Sequence, residues 1–156
     1  MFSALVPPPF AVRGLEERFA AAAEGMRWET SDRWHITLRF YGVDDPRTRA
    51  PWLRERLRGA HAPWIRLHGA GTFPRVVFVA VDAEDPTALH GLAKRCGADD
   101  EYRPHLTVGR GNVPGAAEAF AEYAGAWFRP SEVSLLASGA GRYTVVDRVR
   151  LDRELP

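Results

Sequence analysis

Two four-residue units of one pattern occur in the two halves of the chain: HITL, which begins at His35, and HLTV, which begins at His105. On a β-strand, residues i and i+2 face the same side. His35 and Thr37 would therefore project together, as would His105 and Thr107, while the apolar residues between them pack into the core behind. If the two strands lie side by side, two imidazoles and two hydroxyls surround one point.

These four side chains suit displacement at phosphorus. The reaction needs a base for the attacking oxygen and an acid for the leaving oxygen, and histidine, with a pKa near ~6.5, can serve in either role at neutral pH. Threonine hydroxyls can donate to the non-bridging oxygens, where charge sits in the transition state. The units therefore indicate phosphoester chemistry that needs no metal.

A metal site is the alternative reading of two histidines, but zinc sites usually take three or four protein ligands. The three remaining histidines have no spacing that would complete such a site; they are His61, His68 and His90. We therefore expect neither a metal nor another cofactor.

Length and composition indicate one soluble domain over residues 1–156. The formal net charge is +1, and no basic block suggests wrapping around a long nucleic acid. Lys94 is the only lysine, so individual arginines are the candidates for phosphate binding. The single cysteine, Cys96, excludes an intrachain disulfide. No segment approaches the ~18 apolar residues of a membrane span, and we expect a cytoplasmic monomer.

Hydrophobic periodicity and turn residues predict the element order β-α-β-α-β-β-α-β-α-β-β. The predicted helices cover 10–24, 46–59, 86–95 and 115–124. Besides the second His strand, the predicted strands cover 2–6, 34–41, 64–70, 76–81, 131–137 and 143–151. Two helices begin with Asp-Pro, an N-cap followed by proline at the first helical position. The two His strands have a similar strand–helix setting, which suggests two related lobes.

At these motifs the sequence resembles the 2H phosphoesterase superfamily, and within it the RNA 2′,3′-cyclic phosphodiesterases, also called 2′-5′ RNA ligases. RWETSDRWHITLRFYG resembles the first motif, with Tyr41-Gly42 where the family more often has Leu-Gly, and RPHLTVGR matches the second. GAGTFPRVVFVAVD (69–82) and SGAGRYTVV (138–146) resemble two further segments. The loop CGADDEYRP and the closing turn are short for the family.

The resemblance implies an α+β fold with two pseudo-symmetric lobes, antiparallel sheets around a central cleft and helices outside. It implies that His35, Thr37, His105 and Thr107 line the cleft, the histidines as general acid and general base. The implied reaction is metal-independent hydrolysis of a 2′,3′-cyclic phosphate on RNA or a nucleotide to a 2′-phosphate, with 2′-5′ ligation as its reverse. The family's arginine after the second motif corresponds to Arg110.

Strict alternation would place Arg110 on the face opposite His105. For Arg110 to reach the phosphate, the strand must end or bulge at Gly109, which a glycine permits. By the same alternation Arg39 shares the face of His35 and is a second candidate cation.

Four further residues are candidates for substrate binding. Arg75, in the turn after Phe73-Pro74, could cap the rim of the cleft. Three tyrosines could stack on a base, although burial is the more common reason for such residues; they are Tyr41, Tyr102 and Tyr143.

Two other functions stay open. A small cyclic phosphate, such as ADP-ribose 1″,2″-cyclic phosphate, could fit the same four groups, and the short loops would suit it. A module that binds nucleotides or RNA ends without turnover belongs to a different class, and the presence of both His-x-Thr units argues against it.

Overall fold

The computed structural model describes residues 1–152. The strands are β1 (Phe2–Leu5), β2 (Arg27–Trp28), β3 (Ile36–Phe40), β4 (Ile65–Phe73), β5 (Val76–Ala83), β6 (His105–Arg110), β7 (Glu132–Gly139) and β8 (Arg142–Arg150). The α-helices are α1 (Leu15–Arg18), α2 (Pro46–Arg56) and α3 (Pro86–Arg95). Among these residues, no helix is long and apolar enough to cross a membrane.

The strands form one antiparallel sheet in the order β4-β5-β6-β3-β1-β7-β8, with β2 paired to β6. Strand β3, which begins directly after His35, and strand β6, which begins at His105, meet in the middle through the pair Ile36–Leu106. Strands β5 and β4 continue the sheet beyond β6, and β1, β7 and β8 continue it beyond β3. This arrangement confirms the predicted α+β fold with two similar halves, which the β3–β6 pairing joins into a continuous sheet.

One face of the sheet carries the main core, and the other carries the cleft. Leu5, Ile36 and Leu106 are fully buried in the main core cluster. Phe2 and Ala4 belong instead to a separate small cluster on the opposite face. The backbone alternation of β1 thus sorts neighbouring residues onto the two faces.

The two Asp-Pro helix starts are confirmed. Asp45 accepts a hydrogen bond from the amide of Arg47 at 2.9 Å, and Asp85 accepts one from the amide of Ala88 at 3.2 Å. In each helix a proline occupies the first position, where its missing N–H costs nothing. Gly97, with φ of 102°, follows the end of α3 in a conformation that glycine adopts freely.

The helices predicted over 10–24 and 115–124 are wrong in extent. The first contains only α1 with single 3₁₀ turns on either side, and the second only the 3₁₀ turn Glu118–Phe120. Both segments fold back so that Phe19 and Phe120 pack edge to face at 5.3 Å. Gly14, with a left-handed φ of 82°, interrupts the first segment before α1, and tertiary context overrides the helix propensity of alanine-rich sequence in such cases. Strand β2, which follows the first segment, was not predicted.

Candidate active site

The pairing of β3 with β6 brings the two His-x-Thr units together. Because Ile36 lies opposite Leu106 in an antiparallel pair, Thr37 lies opposite His105 and His35 opposite Thr107. Residues directly opposite in such a pair have Cβ atoms roughly 4.5–5.5 Å apart and share a face of the sheet. We call these four residues the quartet; all four are half-buried.

Each histidine is held by a hydrogen bond to the carbonyl two residues earlier in the chain. The Nδ1 atom of His35 lies 2.8 Å from the carbonyl oxygen of Arg33, and that of His105 lies 2.7 Å from the carbonyl oxygen of Arg103. A carbonyl can only accept, so Nδ1 carries the proton in both rings. Nε2 is therefore the nitrogen of each neutral ring that can accept a proton.

Aromatic rings hold the two imidazoles in a similar way. Tyr143 packs edge-on against His35 at 5.3 Å and 83°, and Phe73 packs edge-on against His105 at 4.9 Å and 82°. A second ring packs at a tilt on each side, Phe2 at 4.8 Å and Phe78 at 5.3 Å. The predicted aromatic Tyr143 thus lies in the site.

An arginine covers each of the edge-on rings. The guanidinium of Arg33 lies 4.3 Å from the ring centre of Tyr143, and that of Arg103 lies 5.1 Å from the ring centre of Phe73. Arg33 also donates to the hydroxyl of Tyr143 at 3.1 Å and to the carbonyl of Gly141 at 2.6 Å, which fastens the β7–β8 turn beside β3. The sequence did carry a signal for this pair, because both units read Arg-x-His-apolar-Thr.

Burial lowers the pKa of both histidines below their ordinary value. The surrounding charges differ: the carboxylate of Glu29 raises the pKa of His35, whereas the guanidinium of Arg103 lowers that of His105. Arg110 lowers the pKa of both. Among the charged neighbours, Glu29 thus favours a proton on His35, whereas the charged neighbours of His105, Arg103 and Arg110, oppose one there; burial, the largest cause for both rings, lowers both pKa values.

Strand β6 bulges directly after Thr107. Thr107 is paired with Phe78 and Gly109 with Val77, so Val108 has no partner on β5. A Cβ added to Gly109 would lie 2.5 Å from the ring of Trp28, on the core side. Arg110 consequently returns to the face of the quartet, as the prediction required.

Glu29 holds Arg110 in this position. Its carboxylate accepts from Nε of Arg110 at 3.1 Å and from Nε of Arg33 at 2.9 Å. The side chain of Glu29 is only 12% exposed, so the ion pairs are partly shielded from water. Glu29 was not predicted as a site residue, since nothing in its spacing to Arg110 in the sequence indicates a contact.

A matching bulge in β3 moves Arg39 away from the predicted face. Ala4 is paired with Thr37 and Ser3 with Arg39, which leaves Leu38 without a partner on β1. Ser3 lies on the core side, so simple alternation does not describe the direction of Arg39. Arg39 nevertheless lines a cavity together with Thr37 and His105. The residue that returns to the quartet face is Phe40, which is 62% exposed and stacks on Phe2 at 6.5 Å.

Two of the predicted tyrosines use their hydroxyls within the protein. Tyr41 donates to the carbonyl of Cys96 at 2.7 Å on the core side, and burial raises its pKa to about 12. Tyr102 donates to the carbonyl of Thr37 at 2.8 Å and so supports the backbone of β3. Burial raises the pKa of Tyr102 as well.

Arg75 occupies the β4–β5 turn with φ of 62° and is exposed. It lies at the far end of β6, in a groove with Arg110 rather than beside the quartet. Residues 1–152 contain no group of three or more His, Cys, Asp or Glu side chains arranged to hold a metal ion.

Comparison with known families identifies the class. The family model of the 2′-5′ RNA ligase superfamily matches residues 9–141. The chain therefore belongs to this superfamily, in agreement with the resemblance of its two His-x-Thr motifs.

Individual relatives agree with this assignment. An RNA 2′,3′-cyclic phosphodiesterase of Methanothermobacter thermautotrophicus is 30% identical, and the match covers 81% of either chain. The protein TT0787 of Thermus thermophilus has a similar fold, with a TM-score of 0.75, 23% identity and 96% of each chain covered. The fold is also similar to that of Escherichia coli LigT complexed with 3′-AMP, with a TM-score of 0.74, 22% identity and 97% of each chain covered.

Proposed function

We propose that the protein hydrolyses the terminal 2′,3′-cyclic phosphate of RNA to a 2′-phosphate. The observation that carries this proposal is the register of β3 and β6, which sets each histidine opposite the threonine of the other unit. The similarity to the RNA 2′,3′-cyclic phosphodiesterase of Methanothermobacter thermautotrophicus supports RNA with a cyclic phosphate as the substrate.

In this reaction one histidine accepts a proton from water through Nε2 as the water oxygen attacks phosphorus. The bond between phosphorus and O3′ breaks, and the other histidine donates its proton to O3′. Thr37 and Thr107 donate hydrogen bonds to the non-bridging oxygens, and Arg110 balances their charge. If a 5′-hydroxyl takes the place of water as the attacking group, the same opening of the cyclic phosphate forms a 2′-5′ phosphodiester bond.

The charges around the two rings support a division of roles. Glu29 favours the protonated form of His35, while Arg103 favours the neutral form of His105. We therefore propose His35 as the acid that protonates O3′ and His105 as the base that activates water.

The test is turnover of 2′,3′-cyclic AMP and of a short RNA with a 2′,3′-cyclic end, both in EDTA, with the product's phosphate position read by phosphorus NMR. We expect a 2′-phosphate product, and a loss of roughly 10²–10⁴ in kcat for His35→Ala and for His105→Ala. His68→Ala is the matched control, because His68 pairs with Asp82 on β5 rather than with the quartet.

Wild-type rates in either quartet variant would remove that residue from the mechanism. Activity that is lost in EDTA and restored by zinc would overturn the metal-independent reaction. If neither substrate turns over while a 2′-phosphate binds tightly, the protein is a binding module instead.

A further inference from the structure

A groove with three exposed arginines lies at the end of β6. Arg27 comes from β2, Arg75 from the β4–β5 turn and Arg110 from the end of β6. We call these three residues the arginine groove. They are far apart in sequence, and only the sheet brings them together.

The backbone sets the direction of these side chains. Arg27 is paired with Arg110, so both project from the face that carries the quartet. The amide of Gly111 donates to the carbonyl of Arg75 at 3.0 Å, which ties the β4–β5 turn to the end of β6. The backbone of the sheet therefore fixes the positions from which the three arginine side chains extend.

The positive charge of the groove is only partly balanced. Arg110 has Glu29 as its partner at 3.1 Å. Within residues 1–152, no carboxylate lies within salt-bridge distance of Arg27 or Arg75. Like charges held close together repel each other, so an anion in the groove would be stabilising. The whole chain has a formal net charge of only +1, so this positive charge is local to the groove.

The groove continues from the quartet along the same strand. Arg110 follows Thr107 by three residues, a distance of roughly 10 Å at ~3.3 Å per residue, and the bulge keeps both on one face. A cyclic mononucleotide has a single phosphate, which the quartet would bind. Single-stranded RNA carries a further phosphate on every nucleotide, and arginine binds phosphate through two parallel hydrogen bonds.

We propose that Arg27 and Arg75 of the arginine groove bind the phosphodiester backbone of the RNA strand that precedes the cyclic end, while Arg110 faces the cyclic phosphate itself. The protein then prefers an oligoribonucleotide to a cyclic mononucleotide, with the difference expressed in KM. This inference rests on the proposed function, since it takes the cyclic end to be bound at the quartet.

The first experiment compares 2′,3′-cyclic AMP with a short RNA that has the same cyclic end. For the RNA, Arg27→Ala should raise KM about tenfold, as expected for loss of one charged hydrogen bond of roughly 1.5 kcal/mol, with kcat unchanged. For 2′,3′-cyclic AMP, kcat/KM should stay within about twofold of wild type. Arg75→Ala should raise KM for the RNA in the same direction.

Arg58→Ala is the matched control, because Arg58 is 79% exposed just after α2 and its removal changes the net charge equally. The dependence of log KM for the RNA on log salt concentration should become shallower by about 0.7 in Arg27→Ala, the value for one phosphate contact to a single strand. Arg58→Ala should leave this slope as in wild type.

A binding measurement separates this inference from the proposed function. The probe is a short RNA that already ends in a 2′-phosphate, titrated against wild type and Arg27→Ala. Weaker binding to the variant supports the groove even if the wild type hydrolyses neither cyclic substrate. Equal binding of this RNA to wild type and Arg27→Ala overturns the inference. It is also overturned if Arg27→Ala loses as much kcat/KM with 2′,3′-cyclic AMP as with the RNA, or if Arg58→Ala has the same effect as Arg27→Ala.

Discussion

His35 and His105 have the same hydrogen bond and the same edge-on aromatic packing, and they differ in the charges that surround them. Glu29 lies on the side of His35, whereas Arg103 precedes His105. Similar rings in unlike electrostatic surroundings are the arrangement that an acid and a base need, since the two must hold opposite protonation states.

A substrate with a bridging sulfur at the 3′ position tests the proposed roles. A thiolate leaves without being protonated, so a variant that lacks the acid should recover with this substrate. We expect His35→Ala to lose roughly 10²–10⁴ in kcat/KM with the oxygen substrate and less than about tenfold with the sulfur substrate. His105→Ala should lose activity with both substrates. Recovery of His105→Ala instead of His35→Ala would reverse the assignment.

Matching bulges in β3 and β6 decide which side chains reach the cleft. Each bulge follows the threonine of its unit, and each returns the residue at position five after the histidine to the quartet face. In β6 that residue is Arg110, and in β3 it is Phe40. The glycine at 109 indicated the first bulge in advance, but no residue type in β3 indicates the second.

Gly109→Ala tests the importance of the bulge. The added Cβ would meet the ring of Trp28 at 2.5 Å, so either the ring or the strand must shift. We expect a loss of about 1–3 kcal/mol in the free energy of unfolding, typical of overpacking, together with a lower kcat/KM as Arg110 moves. Urea denaturation and turnover check these two effects.

The control for this substitution is Gly91→Ala in α3, where an added Cβ meets nothing within 4 Å. In a helix interior, alanine should stabilise by roughly 0.5–1 kcal/mol relative to glycine. A Gly109→Ala protein as stable and as active as the wild type would show that β6 does not depend on this close approach.

Holding two imidazoles in a half-buried cleft makes the stability of the whole molecule depend on pH. In the folded protein the pKa of His35 and of His105 lies below the ordinary value of 6.5. As the pH falls through 6.5, the unfolded chain takes up protons that the folded protein resists. The free energy of unfolding therefore has its full value above pH 6.5 and decreases as the pH falls below 6.5.

We expect the double variant His35→Gln/His105→Gln to lose less stability than wild type between about pH 7 and about pH 5.5. Urea denaturation of both proteins at the two pH values, at constant ionic strength, measures the difference. Equal losses in the two proteins would mean that the cleft does not disfavour the charged imidazoles.

The quartet could be predicted because its information is local. Strand alternation puts His35 with Thr37 and His105 with Thr107, and the repetition of the unit suggests that the two strands meet. The helix starts at Asp45 and Asp85 were predictable for the same reason, since a cap involves only a few neighbouring residues.

The contacts of Glu29, the direction of Arg39 and the meeting of Arg27, Arg75 and Arg110 could not be predicted in this way. Each depends on the register between strands that are distant in the chain, and packing of the core selects that register. A bulge of one residue reverses every later side chain on its strand. Local patterns thus identified the chemical groups, and the packed sheet selected which of the remaining side chains surround them.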